Sequence, residues 1–165
     1  MILGLDLSTH TCGAALVGLD GELVRAETFR ASRKESFEVR RGEILKWLFT
    51  LKRDADRPFR VVAIEAPYFG ANPSTGIKLA RVIGMAEAVA LTQFRTPLEG
   101  VMVVGAAAWQ SAILGIAGNA KRALRKERSI EEANKICARD LGRAVSSEDE
   151  ADAIGLARYA KLLAT

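Results

Sequence analysis

Near its amino terminus the chain reads ILGLDLS, a strand-like run that sets one carboxylate, Asp6, among Ile2, Leu3, Leu5 and Leu7. A carboxylate buried there without a partner loses its hydration and is forced toward the protonated form. Asp6 must therefore stand where the strand opens to solvent, or be balanced by a cation. The same problem recurs at FRVVAIE, an apolar run over 59–65 that ends in Glu65 and is stopped by Ala66-Pro67. Any fold for this chain has to bring such strand ends to an accessible edge.

The intervening segments alternate between strand and helix patterns. A second apolar run, TCGAALVGL, is followed by Asp20-Gly21 and then ELVRAETFR. Asp-Gly between two strand-like runs predicts a hairpin closed by a type I′ turn. Apolar residues at Phe37, Ile44, Leu45, Leu48 and Leu51, with charges between them, predict an amphipathic helix over 36–51.

Residues 68–74 (YFGANPS) read as loop, and Ser74 or Thr75 is placed to cap a helix reaching about 93. A strand over 99–104 follows, with helices over 106–114, 130–141 and 148–163. The order β-β-β-α-β-α-β-α-α fits an α/β fold with one mixed sheet, as in ribonuclease H-like domains. Its mixed five-stranded sheet has three antiparallel strands, then parallel ones, with helices on both faces.

At 165 residues, with 49% apolar and 27% charged side chains, the chain suits one globular domain spanning 1–165. No run approaches the ~20 apolar residues of a membrane span, and no targeting segment is visible, so a cytoplasmic location is expected. Cys12 and Cys137 are far apart and form no Cys/His ligand set, which suits reduced core thiols. His10 is the sole histidine, so a His-based zinc site or a Ser-His-Asp triad is poorly supported; it reads as a polar turn residue. The net charge of +4 favours an anionic partner.

Two further carboxylates stand out in SEDEADAI. On a helix, Asp149 and Asp152 share a face, and Asp152 sits where the apolar part begins. Glu148, Asp149 and Glu150 are also what a helix N-terminus favours through its dipole, with no function needed. Asp6, Glu65, Asp149 and Asp152 together form an all-oxygen donor set that ionises fully only with cations present. Hard divalent ions, Mg²⁺ or Mn²⁺, choose such ligands. Two ions bridging a phosphate can activate water and stabilise the leaving oxygen.

These residues resemble the RuvC-type Holliday junction resolvases, dimeric nucleases of the ribonuclease H superfamily. ILGLDLSTHTCGAALV is similar to their first strand with its metal-binding Asp. VVAIEAPYFGANPSTGIKLARVIG resembles their second motif, with Glu65, Tyr68, Asn72, Lys78-Leu79 and Gly84 in its places. DEADAIGLARYA resembles the closing helix, with Asp149 and Asp152 on the last two metal positions. The resemblance implies a homodimer that makes paired nicks in a four-way DNA junction, with two Mg²⁺ (or Mn²⁺) ions held by Asp6, Glu65, Asp149 and Asp152.

It also implies that Tyr68 stacks on a base near the junction centre, where the family carries an aromatic, with Phe69 beside it and Asn72 in the same loop. The family's Lys after the fifth strand is here Gln110, next to Trp109, a pairing more similar to phage-encoded relatives. Lys121, Arg122, Arg125 and Lys126 are the basic set placed to replace that Lys, each able to neutralise a phosphate.

Other readings fit parts of the sequence. A nuclease of the same fold acting on structured RNA would keep the carboxylates and change the substrate. LGLDLSTHTCGAALVGLDGELV also resembles the phosphate-binding hairpin of sugar kinases and actin-like ATPases, but those proteins close a second lobe over ATP. A non-catalytic junction-binding module would have little use for the four carboxylates.

Overall fold

The structure, a computed structural model, describes residues 1–53, 58–67, 73–117 and 120–164. Five strands form one sheet in the order β3-β2-β1-β4-β5. They are β1 (Ile2–Leu7), β2 (Thr11–Val17), β3 (Leu23–Arg30), β4 (Val61–Glu65) and β5 (Val101–Val104). β1, β2 and β3 are antiparallel, and β4 and β5 run parallel to β1. The helices are α1 (Phe37–Arg53), α2 (Pro73–Thr92), α3 (Ala106–Leu114), α4 (Arg122–Leu141) and α5 (Glu148–Leu163). The fold class and the order of elements are those predicted.

The two-residue period of the strands divides the core into two layers. Leu3, Leu5, Leu7, Val62 and Ile64 face α1 and α2, packing on Ile44, Leu48, Val82 and Ala86. Ile2, Ala15, Val61 and Ala63 face the other three helices, meeting Trp109, Ile136, Ile154 and Ala157. Asp6 and Glu65 continue this second set. α5 lies directly on the sheet because Gly4 and Gly13 leave it room: a Cβ on Gly4 would overlap the Ala153 carbonyl oxygen, and one on Gly13 the carbonyl of Asp149.

Several boundaries differ from the sequence reading. The β2–β3 connection is a hairpin, but Gly18 pairs with Glu22 around a three-residue loop, with Gly21 N–H donating to Gly18 O at 3.0 Å. Gly21 has φ +98° and Asp20 is not left-handed, so the loop is a turn with a glycine bulge and not type I′. α4 begins at Arg122, eight residues before the expected 130. α2 begins at Pro73, which puts Ser74 and Thr75 inside its first turn and not at a cap. Residues 98–100 form a 3₁₀ turn, leaving β5 shorter than expected. Among the described residues, no helix is long and apolar enough to cross a membrane.

Candidate active site

Strand register brings Asp6 and Glu65 together. Leu5 of β1 pairs with Ile64 of β4, so the next residue of each parallel strand stands beside the other on the same face. On its other side Asp6 pairs with Gly13 of β2. Both carboxylates lie at the carboxyl ends of neighbouring parallel strands, the edge where open α/β sheets carry their ligands.

α5 adds Asp149 and Asp152 from above. Its first turn is fixed tightly: Ser147 Oγ accepts from Glu150 N–H at 3.1 Å, and the Thr28 hydroxyl is hydrogen-bonded to Ser147 Oγ. Glu150 is fully buried, and Arg143 and Ser146 satisfy its carboxylate. Glu150 therefore anchors the helix end and points away from the task of Asp149 and Asp152. With the Asp149 carbonyl resting on Gly13, the helix N-terminus is seated over β2, next to Asp6.

The electrostatics record this crowding. Burial first, then Glu65, Asp152, Asp149 and Glu148, push the Asp6 carboxyl well above its ordinary range. Burial raises Asp152 to about 7, helped by Glu65, Glu148 and Asp149 and opposed by a hydrogen bond from Ser129. Glu65 is also raised by burial, against a hydrogen bond from Trp109 and the charge of Arg125. Asp149 is raised by burial and by Glu148. Such groups ionise together only when positive charge is supplied. Among the described residues, no three His, Cys, Asp or Glu side chains are drawn close enough together to hold an ion as they stand.

Two donors orient these carboxylates. Trp109 Nε1–H donates to Glu65 Oε2 at 2.8 Å, and Ser129 Oγ donates to Asp152 Oδ1. The sequence reading gives neither residue a role. Ser129 has a readable signal: with Ala133, Ile136 and Cys137 it forms the buried stripe of α4, so it is the polar member of an apolar face.

A cleft of about 470 Å³ opens beside the carboxylates, lined by Glu65, Asp152, Glu148, Gln110 and three cations, Arg122, Arg125 and Lys126. Arg125 reaches Gln110 Oε1 at 3.4 Å, while its buried Nε has no hydrogen-bond partner among the described residues. Lys126 pairs with Glu148 at 2.8 Å. Lys121 is the N-cap residue of α4 and does not line the cleft. Tyr68, Phe69 and Asn72 lie outside the described residues.

No family profile and no curated protein matches the chain in sequence. Solved structures do match. Thermus thermophilus RuvC superposes with a TM-score of 0.70 at 22% identity, covering 100% of this chain and 98% of that one. T. thermophilus RuvC in complex with a Holliday junction substrate superposes with a TM-score of 0.69 at 23% identity, covering 95% of this chain and 90% of that one. From its first strand to its last helix, then, this chain has the ribonuclease H-like fold of RuvC.

Proposed function

We propose that this chain is a divalent-metal-dependent endonuclease that acts as a homodimer to place paired nicks in four-way DNA junctions. One observation carries the reading: Asp6 and Glu65 side by side at the sheet edge, under the first turns of α5 with Asp149 and Asp152. Four mutually repelling, largely buried carboxylates need an external cation, and their all-oxygen chemistry suits Mg²⁺ or Mn²⁺. Asp6, Glu65, Asp149 and Asp152 would hold the ions, and would have to move closer together to share them. Two bound ions would supply an activated water and charge stabilisation for the phosphate under attack.

The protein's own groups prepare that site. Trp109 holds one oxygen of Glu65, leaving the other for a ligand, and Ser129 does the same for Asp152. Arg122, Arg125 and Lys126 line the adjoining cleft and are the groups for the phosphates of the bound strand, with Lys121 at its margin. Tyr68 and Phe69, with Asn72, are proposed to stack on and contact unpaired bases at the junction centre, where stacking contributes roughly 1–3 kcal/mol per base. The likeness in fold to a protein solved with a Holliday junction substrate supports the choice of substrate.

The test is incubation with a synthetic four-way junction, with and without Mg²⁺, mapping the cut on each strand. Symmetric nicks in opposite strands that need Mg²⁺ are expected. Cutting of structured RNA in preference to the junction would replace the substrate, and no metal-dependent cutting at all would end the nuclease reading.

A further inference from the structure

A second cleft, of about 600 Å³, lies on the opposite side of the carboxylates from the α4 cations. It is lined by His10, Thr11, Arg30, Ala31, Arg33 and Asp149. Its floor is the β1–β2 turn, which is tied down from several directions. Ser8 Oγ accepts from the N–H groups of His10 and Thr11, at 3.3 and 3.0 Å. Ala31 N–H donates to His10 O at 2.7 Å, and Arg40 Nε donates to Thr9 O at 3.0 Å. Thr11 pairs with Arg30 across β2 and β3, so the turn and the end of β3 form one unit.

The charge of Arg30 acts on Asp149 and that of Arg33 on His10, in each case without a hydrogen bond between them. Arg30 and Arg33 are both exposed, and among the described residues neither guanidinium makes a hydrogen bond or ion pair. This contrasts with the nearby Arg40, which bonds two backbone carbonyls. His10 Nε2 is covered and has no hydrogen-bond partner among the described residues, and a buried polar atom without one calls for a ligand or water to complete it. Two exposed guanidiniums with their donors open, over a rigid turn with a hydroxyl and an imidazole nitrogen, make a site for a phosphate group, which takes charge-assisted bonds from such a fork.

Position gives the site its meaning. Asp149 lines this cleft, while Asp152 and Glu65 line the other, so the two clefts meet at the carboxylates. We infer that His10, Thr11, Arg30 and Arg33 form a second phosphodiester subsite, which holds the nucleic-acid strand on the far side of the cut from the α4 cations. The strand thus crosses the carboxylates with a phosphate gripped on each side. This rests on the reading of the chain as a nuclease, and it adds a wall that the basic segment of α4 does not provide.

The experiment measures binding of labelled four-way junction, linear duplex and structured RNA to the full chain across a salt series, in Ca²⁺ to prevent cutting. The variants are Arg30→Ala/Arg33→Ala and, because Arg33 lies beyond the strand, Arg33→Glu alone. Both are expected to keep the wild-type melting temperature. The double variant is expected to bind about tenfold more weakly and to lower the slope of log K against log salt by about one for each subunit bound.

Wild-type affinity and slope in both variants, with wild-type binding intact, would overturn the subsite while leaving the nuclease reading. Loss of affinity seen only on RNA would keep the subsite and remove the junction. Failure of the wild type to bind any of the three nucleic acids would remove both.

Discussion

The indole N–H of Trp109 donates to Glu65 Oε2 at 2.8 Å, from a ring that is completely buried against Gly155 of α5. One side chain thus fixes a strand-end carboxylate and packs against the helix that carries Asp149 and Asp152. Trp109→Phe keeps most of the packing and removes the donor. Outer-shell partners of this kind are worth roughly 10–100-fold in metal affinity or activity. The expected result is a cleavage rate that needs about that much more Mg²⁺ for half saturation, with a stability loss of about 1–3 kcal/mol from the buried, charge-assisted bond. A Mg²⁺ titration of nicking beside a denaturant melt checks both; an unchanged Mg²⁺ midpoint would reduce Trp109 to a packing residue.

Asp6→Asn and Glu65→Gln remove charge at the sheet edge with little change of shape. Assignment of these residues to metal, and not to phosphate, requires that cutting be lost while binding survives. Nicking is expected to fall by roughly 10²–10³ or more, the scale set by groups that stabilise developing charge. Junction affinity in a gel-shift assay should stay within a fewfold of wild type. Parallel loss of binding and cutting would contradict the assignment.

The pH dependence of the ion-free protein follows from the same crowding. Asp152 has a folded pKa of about 7 against an ordinary value of 3.8, and Asp6 is raised in the same direction. A group raised on folding contributes stability that is full below its unfolded pKa and is lost as pH climbs through its folded one. In EDTA the melting temperature is therefore expected to fall between about pH 4 and pH 8, since each tenfold gain in proton affinity on folding is worth about 1.4 kcal/mol. Asp152→Asn, which can still accept from Ser129, should flatten that decline and melt higher than wild type at pH 8. Mg²⁺ or Mn²⁺ should raise the wild-type melt at pH 8 and leave the Asn variant much less affected. A wild-type melting curve independent of pH over this range would contradict the placement of Asp152.

Much of the architecture is legible in the sequence because the apolar periods are clean. Leu3, Leu5 and Leu7 alternate with Ile2, Gly4 and Asp6, so strand β1 and the side of its carboxylate can be read together. The start of α4 is hidden for the opposite reason. Residues 122–129, RALRKERS, hold five charged side chains and no apolar stripe, yet they are good helix formers and the helix runs through them. Starting the helix at 130 leaves Ser129 outside it and conceals its bond to Asp152. The contact of Trp109 with Glu65 joins residues 44 positions apart, and no local pattern encodes such a pairing. The second basic cleft is equally invisible in the sequence, because Arg30 and Arg33 join His10 only through the β2–β3 ladder.

Gly13 is where fold and site are most tightly coupled. It pairs with Asp6 in the sheet and lies beneath the Asp149 carbonyl, so no side chain fits between strand and helix. Gly13→Ala forces the N-terminus of α5 away from β2, and the helix cannot tilt freely because Gly4 clamps it again at Ala153. Overpacking of this kind costs typically about 1–3 kcal/mol. The displacement falls on Asp149 and Asp152 together, so nicking should suffer far more than folding. Gly42→Ala is the matching control: it lies in α1 with open space around it, and alanine there should stabilise by up to about 1 kcal/mol. Melting temperature and junction nicking, measured on both variants, separate the outcomes. A Gly13→Ala protein that melts lower yet nicks at the wild-type rate would show that the seat of α5 on β2 does not set the geometry of the carboxylates.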